Sequence, residues 1–292
     1  MAAETQVEQE TVRDDKGRDL KVYIYAAVLA LGVIAAYWRS MHWVTNLALL
    51  QVDTGGGLFA PIVSAYLVWQ KRDELRRAEV TGTHWGALAL ALGLLLFVAG
   101  LYGMFSTLLT LSLVLVVWGL VVWLGGIARG RTLLFPIGYL AFLVPAPTAL
   151  DSISLPLRLF GTRASAILPR MLGIPVRVEG TEVLIGDFRS MIDAPCSGLS
   201  YLLALLACAT LVAYLSECSF TRKVVLSLSA IPIAVLANVV RIDMSYLLHE
   251  ALGETFAAGV GHFLVGMAVL AFATVSLLGV WSVTCRGSTG GS

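Results

Sequence analysis

Long apolar stretches, separated by short polar connections, dominate the chain after residue 21. A stretch of about 20 apolar residues is long enough to cross a bilayer as a helix. The pattern therefore predicts an all-α, multi-pass transmembrane bundle of about eight spans. Their predicted limits are residues 22–38, 54–69, 85–102, 107–127, 133–150, 196–215, 224–241 and 260–284.

One long segment, residues 151–195, interrupts this pattern between the fifth and sixth spans. Its first half alternates apolar and basic positions at helical spacing, which predicts an amphipathic helix lying on the membrane surface. Its second half, "PVRVEGTEVLIGDFRSMIDAP", alternates valines with polar residues and predicts a small β-hairpin. We therefore divide the chain into a polar tail (1–21), a transmembrane domain (22–284) with a cap (151–195), and a linker-like Gly/Ser tail (285–292).

Composition agrees with a membrane protein and removes several other classes. The chain is 58% hydrophobic and 13% charged, whereas a soluble domain carries about 25% charged residues. No basic patch with interleaved aromatic residues is present, so a nucleic-acid partner is not expected. The four cysteines form no metal-binding spacing with one another or with histidine, so neither a metal nor a cofactor is expected.

The basic residues predict the orientation. Thirteen of the 20 Lys and Arg residues fall in the N-terminal tail, in the short connections on the same side, and after the last span. Short basic connections face the cytoplasm. Both termini are therefore predicted to be cytoplasmic, while the cap and the acidic connection at 242–259 are predicted to lie outside. Functional residues are expected on that outer face.

Cys196 opens the sixth span in "APCSGL", at the predicted outer surface. A helix N-terminus favours the thiolate, which is the nucleophilic form. Ser197 and Gly198 are small and allow a substrate backbone to approach the sulfur. The alternative is a small packing residue at a helix start. Cys208 lies deeper in the same span among Leu and Ala and is expected to be inert, and Cys218 and Cys285 are expected to be reduced thiols on the cytoplasmic side.

Arg241 ends the seventh span in "LANVVRIDM". An arginine near the hydrocarbon boundary is costly unless it reaches the interface or finds a partner. It is therefore either an interfacial anchor or a fixed cation that stabilises an oxyanion or binds a carboxylate. Asn238 lies three residues earlier on the same helix face and could orient it.

His262 opens the eighth span in "GVGHFLVG", again at the predicted outer face. It is either an interfacial anchor or a general acid and base for a neighbouring thiol. His249 in the outer connection is a rival, and His42 lies outside in a separate segment. His84 is excluded because it falls on the inner side. A nucleophile, a cation and a base on three successive spans thus share one membrane face.

These residues resemble the exosortase/archaeosortase family of membrane cysteine transpeptidases. The resemblance covers residues 133–279 and rests on "LVPAP", "APCSGLSYLLALL", "IPIAVLANVVRI" and "HFLVG", with a fainter match in "GGGLFAPIVSAYLVWQKR". It implies a thiol protease of the bacterial inner membrane with Cys196 as nucleophile, Arg241 as transition-state stabiliser and His262 as acid and base. Its substrates would be single-span membrane proteins ending in a short motif, a transmembrane helix and a basic tail.

The chain departs from the family pattern at two positions. Many members carry a basic residue where this chain has Ser200, and an acidic residue where it has Phe263. Asp193 could hold the imidazole of His262 in place of that acid, or it could cap a helix or face solvent. Two non-enzymatic classes stay open: a transport or export component, which needs ionisable residues within the spans, and a scaffold that presents the cap.

Overall fold

The computed structural model describes residue 28 and residues 31–38, 59–103, 105–143, 151–185, 188–191, 198–253 and 261–285. Residues 31–38 are helical. The later elements are α1 (Ala60–Gln70), α2 (Arg72–Arg77), α3 (His84–Gly103), α4 (Ser106–Thr132), α5 (Leu134–Gly138) with a 3-10 turn (Tyr139–Leu143), α6 (Asp151–Ser165), α7 (Ile167–Met171), β1 (Val176–Glu179), β2 (Glu182–Ile185), β3 (Phe188–Met191), α8 (Leu199–Leu215), α9 (Phe220–Leu252) and α10 (His262–Thr284).

The described chain confirms a mainly helical membrane protein and part of the predicted set of spans. Four helices are long and apolar enough to cross a bilayer: His84–Gly103, Thr107–Thr132, Phe220–His249 and Phe263–Thr284. Two apolar helical stretches, Leu134–Leu143 and Leu199–Leu215, are shorter. The helix in the predicted second span, α1, has 11 residues, about 16 Å of length. The structure therefore supports four of the eight spans by length.

The chain forms two compact units, of which the first contains residues 1–50 and 58–144 and the second contains residues 51–57 and 145–292. In the first unit, α3 and α4 pack closely because Gly86, Gly93 and Gly100 are buried at seven-residue intervals. A Cβ on Gly93 would lie 2.9 Å from the backbone nitrogen of Val116. Small residues at such positions let two helix backbones approach within a membrane.

Helix α4 is interrupted at Gly126, whose φ of +86° is left-handed. The break turns the chain back, so that the indole nitrogen of Trp118 donates to the carbonyl of Gly130 at 2.9 Å. The following residues are helical rather than a loop, which corrects the prediction of an open connection there. Arg129 donates to the carbonyl of Ala78 at 3.2 Å, so two of the predicted cytoplasmic connections lie side by side.

The second unit is built around α8, α9 and α10. Its core is formed mainly by alanines and leucines of the three helices, namely Leu205, Ala209, Ala213, Leu226, Ala230, Ala234, Ala237, Val269, Ala273 and Leu277. Alanine at the helix contacts permits close backbone approach. The cap belongs to the same unit, and α6 packs against α9.

The cap is helical where the amphipathic helix was predicted, in α6 and α7, and it enlarges the predicted hairpin. Gly180, with φ +62°, lies in the turn between β1 and β2, which pair as an antiparallel hairpin from Val176↔Ile185 to Glu179↔Glu182. The third strand, β3, pairs with β2 and makes a three-stranded antiparallel sheet. The prediction of a hairpin alone was therefore incomplete, because β3 adds a third strand to the sheet.

Helix α9 continues past Arg241 to Leu252, which corrects the predicted helix end and the predicted loop at 242–252. No Gly or Pro interrupts residues 242–252, and the helix ends at Gly253, whose φ of +81° is left-handed. The extra turns carry the sheet, because Tyr246 is buried against Val183, and Ile242 packs on the same cluster. The hydropathy boundary and the helix boundary are therefore different positions on α9.

One of the cysteine predictions needs a correction. Cys218 and Cys285 form a disulfide, with Cα atoms 5.3 Å apart, rather than two reduced thiols. It joins the connection between α8 and α9 to the end of α10. Cys208 is a free thiol on an exposed face of α8, and its inertness stays a prediction.

Candidate functional site

Gly198 lies at the start of α8, two residues after Cys196. Its φ of +80° is left-handed, a conformation that glycine adopts at little cost. A Cβ on this residue would lie 2.7 Å from Cγ and 2.9 Å from Nδ2 of Asn238. The absence of a side chain at Gly198 thus allows the chain that leads into α8 to pass directly against α9.

Asn238 is only 4% exposed and lies where three helices meet. On one side it contacts Gly198 of α8, and on the other it faces Gly161 of α6, where a Cβ would lie 3.6 Å from its Nδ2. Two glycines on two neighbouring helices therefore flank this amide. The prediction that Asn238 shares a helix face with Arg241 agrees with the burial of both residues.

Arg241 is 4% exposed, so it is not an anchor that extends into water. Its Cζ lies 5.0 Å from the centre of the Tyr201 ring, a cation–π arrangement. Among the residues that the structure describes, no Asp or Glu side chain is within ion-pair distance of this guanidinium. The buried cation therefore has an aromatic neighbour and no described counter-ion.

Tyr201 connects α8 to α10 as well. Its hydroxyl donates to the carbonyl of Gly266 at 3.4 Å. Gly266 lies four residues after His262, one turn along α10. The sequence analysis did not single out Tyr201, although its place three residues after Gly198, on the first turn of the helix, is a signal that could have found it.

The remaining predicted site residues lie partly outside the described structure. Cys196, Ser197 and Asp193 lie outside the described residues. His262 is the first residue of α10, and its side chain is likewise outside the description. The catalytic assignment of Cys196, Arg241 and His262 therefore stays a prediction.

The three other histidines lie at different places in the chain. His249 is partly buried on the last turns of α9, two turns beyond Arg241 along the helix, and its carbonyl accepts the closing hydrogen bond from Gly253. His84 begins α3 in the first compact unit. His42 lies outside the described residues.

A narrow cleft opens beside Gly198 and Asn238. It has a volume of about 10 Å3, roughly the space of a single water molecule. Its walls come from α6, α8 and α9, and are formed by Leu157, Phe160, Gly161, Gly198, Leu202, Val235 and Asn238. The cleft is mostly apolar, with one amide on its wall.

Asp243 is a second buried ionisable residue, and it was not among the predicted site residues. It is 7% exposed and lies two residues after Arg241 on α9. Within the described part of the chain it forms no ion pair. Its presence in "VVRIDM" was visible, but its burial was not, because the prediction placed this segment in a solvent-exposed connection.

A family model described as "Transmembrane exosortase (Exosortase_EpsH)" matches residues 43–279. The match includes the range 133–279, which carries the resemblance, and extends it towards the N-terminus. No curated protein and no solved structure matches the chain. Because the family model covers well over half of the sequence, from ahead of α1 into α10, this chain belongs to the transmembrane exosortase family.

Proposed function

We propose that this exosortase is a membrane cysteine protease and transpeptidase. It cleaves the C-terminal sorting signals of single-span membrane proteins at the outer face of the bacterial inner membrane. The substrate carries a short motif, a transmembrane helix and a basic tail, and it docks through its helix. The released protein is transferred to an acceptor nucleophile or to water.

The proposed reaction has two halves. The Cys196 thiolate attacks the scissile carbonyl carbon, and the carbonyl oxygen gains negative charge. The Arg241 guanidinium stabilises that oxyanion. The C–N bond then breaks as His262 gives a proton to the leaving amine, and a thioester on Cys196 results. The acceptor attacks the thioester, which releases the product and restores the thiol.

The state of Arg241 carries the proposal. A guanidinium that is 4% exposed is costly to bury without a partner. No described carboxylate neutralises it, so its N–H groups are suited to a negative charge that develops during a reaction. The contact of Asn238 with Gly198 brings the same part of α9 against the chain that follows Cys196.

Distances along α9 support a site at the membrane boundary. Lys223, near the basic end of this helix, precedes Arg241 by 18 residues, which corresponds to about 27 Å of helix. The hydrocarbon core of a bilayer is about 30 Å thick. With Lys223 at one membrane surface, Arg241 reaches the opposite surface, and the turns that hold the sheet project beyond it.

The decisive experiment compares two cysteines of the predicted sixth span. A reporter with a candidate sorting signal is co-expressed with the full chain, and cleavage is followed by immunoblotting. Cys196→Ala should abolish cleavage, while Cys208→Ala, which changes an exposed thiol on α8, should retain it. Equal cleavage by both variants contradicts the proposal and favours a transport component or a scaffold.

A second experiment uses the thiol itself and needs no substrate. A membrane-impermeant maleimide added to intact cells should label Cys196 rapidly, and the rate should fall in His262→Ala because the base that takes up the thiol proton is lost. Labelling only after permeabilisation would place Cys196 on the inner face and contradict the proposed orientation.

A further inference from the structure

Tyr201 contacts α9, which carries Arg241, and α10, which begins with His262. Its ring lies under the guanidinium of Arg241 at 5.0 Å, and its hydroxyl donates to the carbonyl of Gly266 on α10 at 3.4 Å. We propose that Tyr201 is a positioning residue: its ring holds the Arg241 cation in place, and its hydroxyl fixes the first turns of α10 against α8. The inference rests on the proposed function of this site.

The choice of an aromatic ring matters for the chemistry. A carboxylate beside Arg241 would hold the guanidinium firmly, but it would also occupy the N–H groups and neutralise the charge that an oxyanion needs. The face of an aromatic ring attracts a cation electrostatically. It does not occupy the N–H donors of the guanidinium group as a carboxylate would. Because no described carboxylate pairs with Arg241, the ring can restrain the side chain and leave the donors available.

The hydroxyl contact acts on the other side of the site. A Cβ on Gly266 would lie 3.1 Å from the Tyr201 hydroxyl oxygen, so the glycine permits this close approach. His262 precedes Gly266 by four residues, about 6 Å along the helix. The hydrogen bond therefore sets the height of α10 near the predicted acid and base.

Two substitutions separate these contributions. Tyr201→Phe removes the hydroxyl and keeps the ring, whereas Tyr201→Leu removes the ring as well. A displaced oxyanion donor lowers turnover, so we expect kcat of reporter cleavage to fall about 10-fold to 100-fold in Tyr201→Leu. KM should change little, because the lost interaction forms in the transition state. Tyr214→Leu changes a tyrosine near the other end of α8 and serves as the matched control.

A graded substitution distinguishes the cation–π contact from simple packing. In a chain with phenylalanine at position 201, fluorination of that ring weakens its attraction for a cation while nearly preserving its size. Log kcat should decrease steadily with the number of fluorine atoms. A role in packing alone would give no such trend.

The position of Arg241 is also measured without a substrate. Phenylglyoxal modifies guanidinium groups, and peptide mass spectrometry reports the extent at each arginine. Arg241 should react slowly in the wild-type chain and at least several-fold faster in Tyr201→Leu, while the exposed Arg222 reacts equally in both chains.

The outcomes keep the two proposals apart. If Tyr201→Leu leaves the phenylglyoxal reactivity of Arg241 unchanged, the positioning role is wrong whatever the reaction may be. If Arg241 becomes reactive but cleavage keeps its wild-type kcat while Cys196→Ala abolishes it, the inference fails and the proposed function stands. If Cys196→Ala still cleaves the reporter, the proposed function fails, and the phenylglyoxal comparison alone decides whether the ring holds Arg241.

Discussion

Replacing Gly198 with alanine tests the contact that brings the start of α8 against α9. The new side chain meets two costs. A left-handed φ of +80° costs an L-residue about 1–2 kcal/mol. The Cβ would also lie 2.7 Å from Asn238 Cγ, and relief of such overpacking costs about 1–3 kcal/mol. We therefore expect a loss of about 2–5 kcal/mol in the free energy of unfolding.

Gly173→Ala is the matched control for this substitution. Gly173 has the same φ of +80°, but nothing lies within 4 Å of its Cβ position. It should show only the backbone cost of about 1–2 kcal/mol. Thermal unfolding of the full chain in detergent measures both variants, and the melting temperature should fall by about 2–4 °C for each kcal/mol. Equal shifts for the two variants would refute the steric argument.

A double substitution locates the clash. Asn238→Ala removes Cγ and Nδ2, the two side-chain atoms beyond Cβ that Gly198→Ala would meet. The combined cost of the two changes should therefore be smaller than the sum of the single costs. Additive costs would mean that the penalty at Gly198 arises elsewhere.

Two further predictions concern helix packing and the disulfide. Gly93→Ala should lower the stability of the detergent-solubilised chain by about 1–3 kcal/mol, because the Cβ meets Val116, whereas Gly279→Ala, with nothing within 4 Å, should be neutral in the same thermal assay. For the Cys218–Cys285 disulfide, mass spectrometry should find two more maleimide labels per denatured chain after reduction, and Cys218→Ser should remove that difference; equal labelling before and after reduction of the wild type would contradict the bond.

The sequence predicts individual helices better than their ends or partners. Apolar length located the helix that carries Arg241, but hydropathy stops at the membrane boundary while the backbone stays helical for 11 more residues. The seven-residue glycine spacing of α3 is visible in the sequence. Which helix packs against these glycines is not, because that contact forms only in the tertiary structure. Side-chain contacts with Tyr201 and Gly198 likewise join positions that are far apart in the chain.

The candidate site shows the same division. Arg241 and Asn238 were selected as polar residues in an apolar setting, and their burial agrees with that choice. Burial of Asp243 could not be inferred, because it depends on the helical extension of α9. The disulfide between Cys218 and Cys285 could not be predicted either. The distribution of basic residues places both cysteines near one surface but gives no distance between them.

The unequal lengths of α8 and α9 give a physical reason for the location of this site. Both helices adjoin the short connection that contains Cys218, but α8 has 17 residues and α9 has 33, about 26 Å and 50 Å. The start of α8 therefore reaches only partway along its neighbour, and Gly198 meets it at Asn238. Beyond that level α9 packs its Ile242 and Tyr246 against the sheet. The start of α8 therefore lies beside the middle of a longer helix, so that Gly198 and Asn238 meet below the turns of α9 that pack on the sheet.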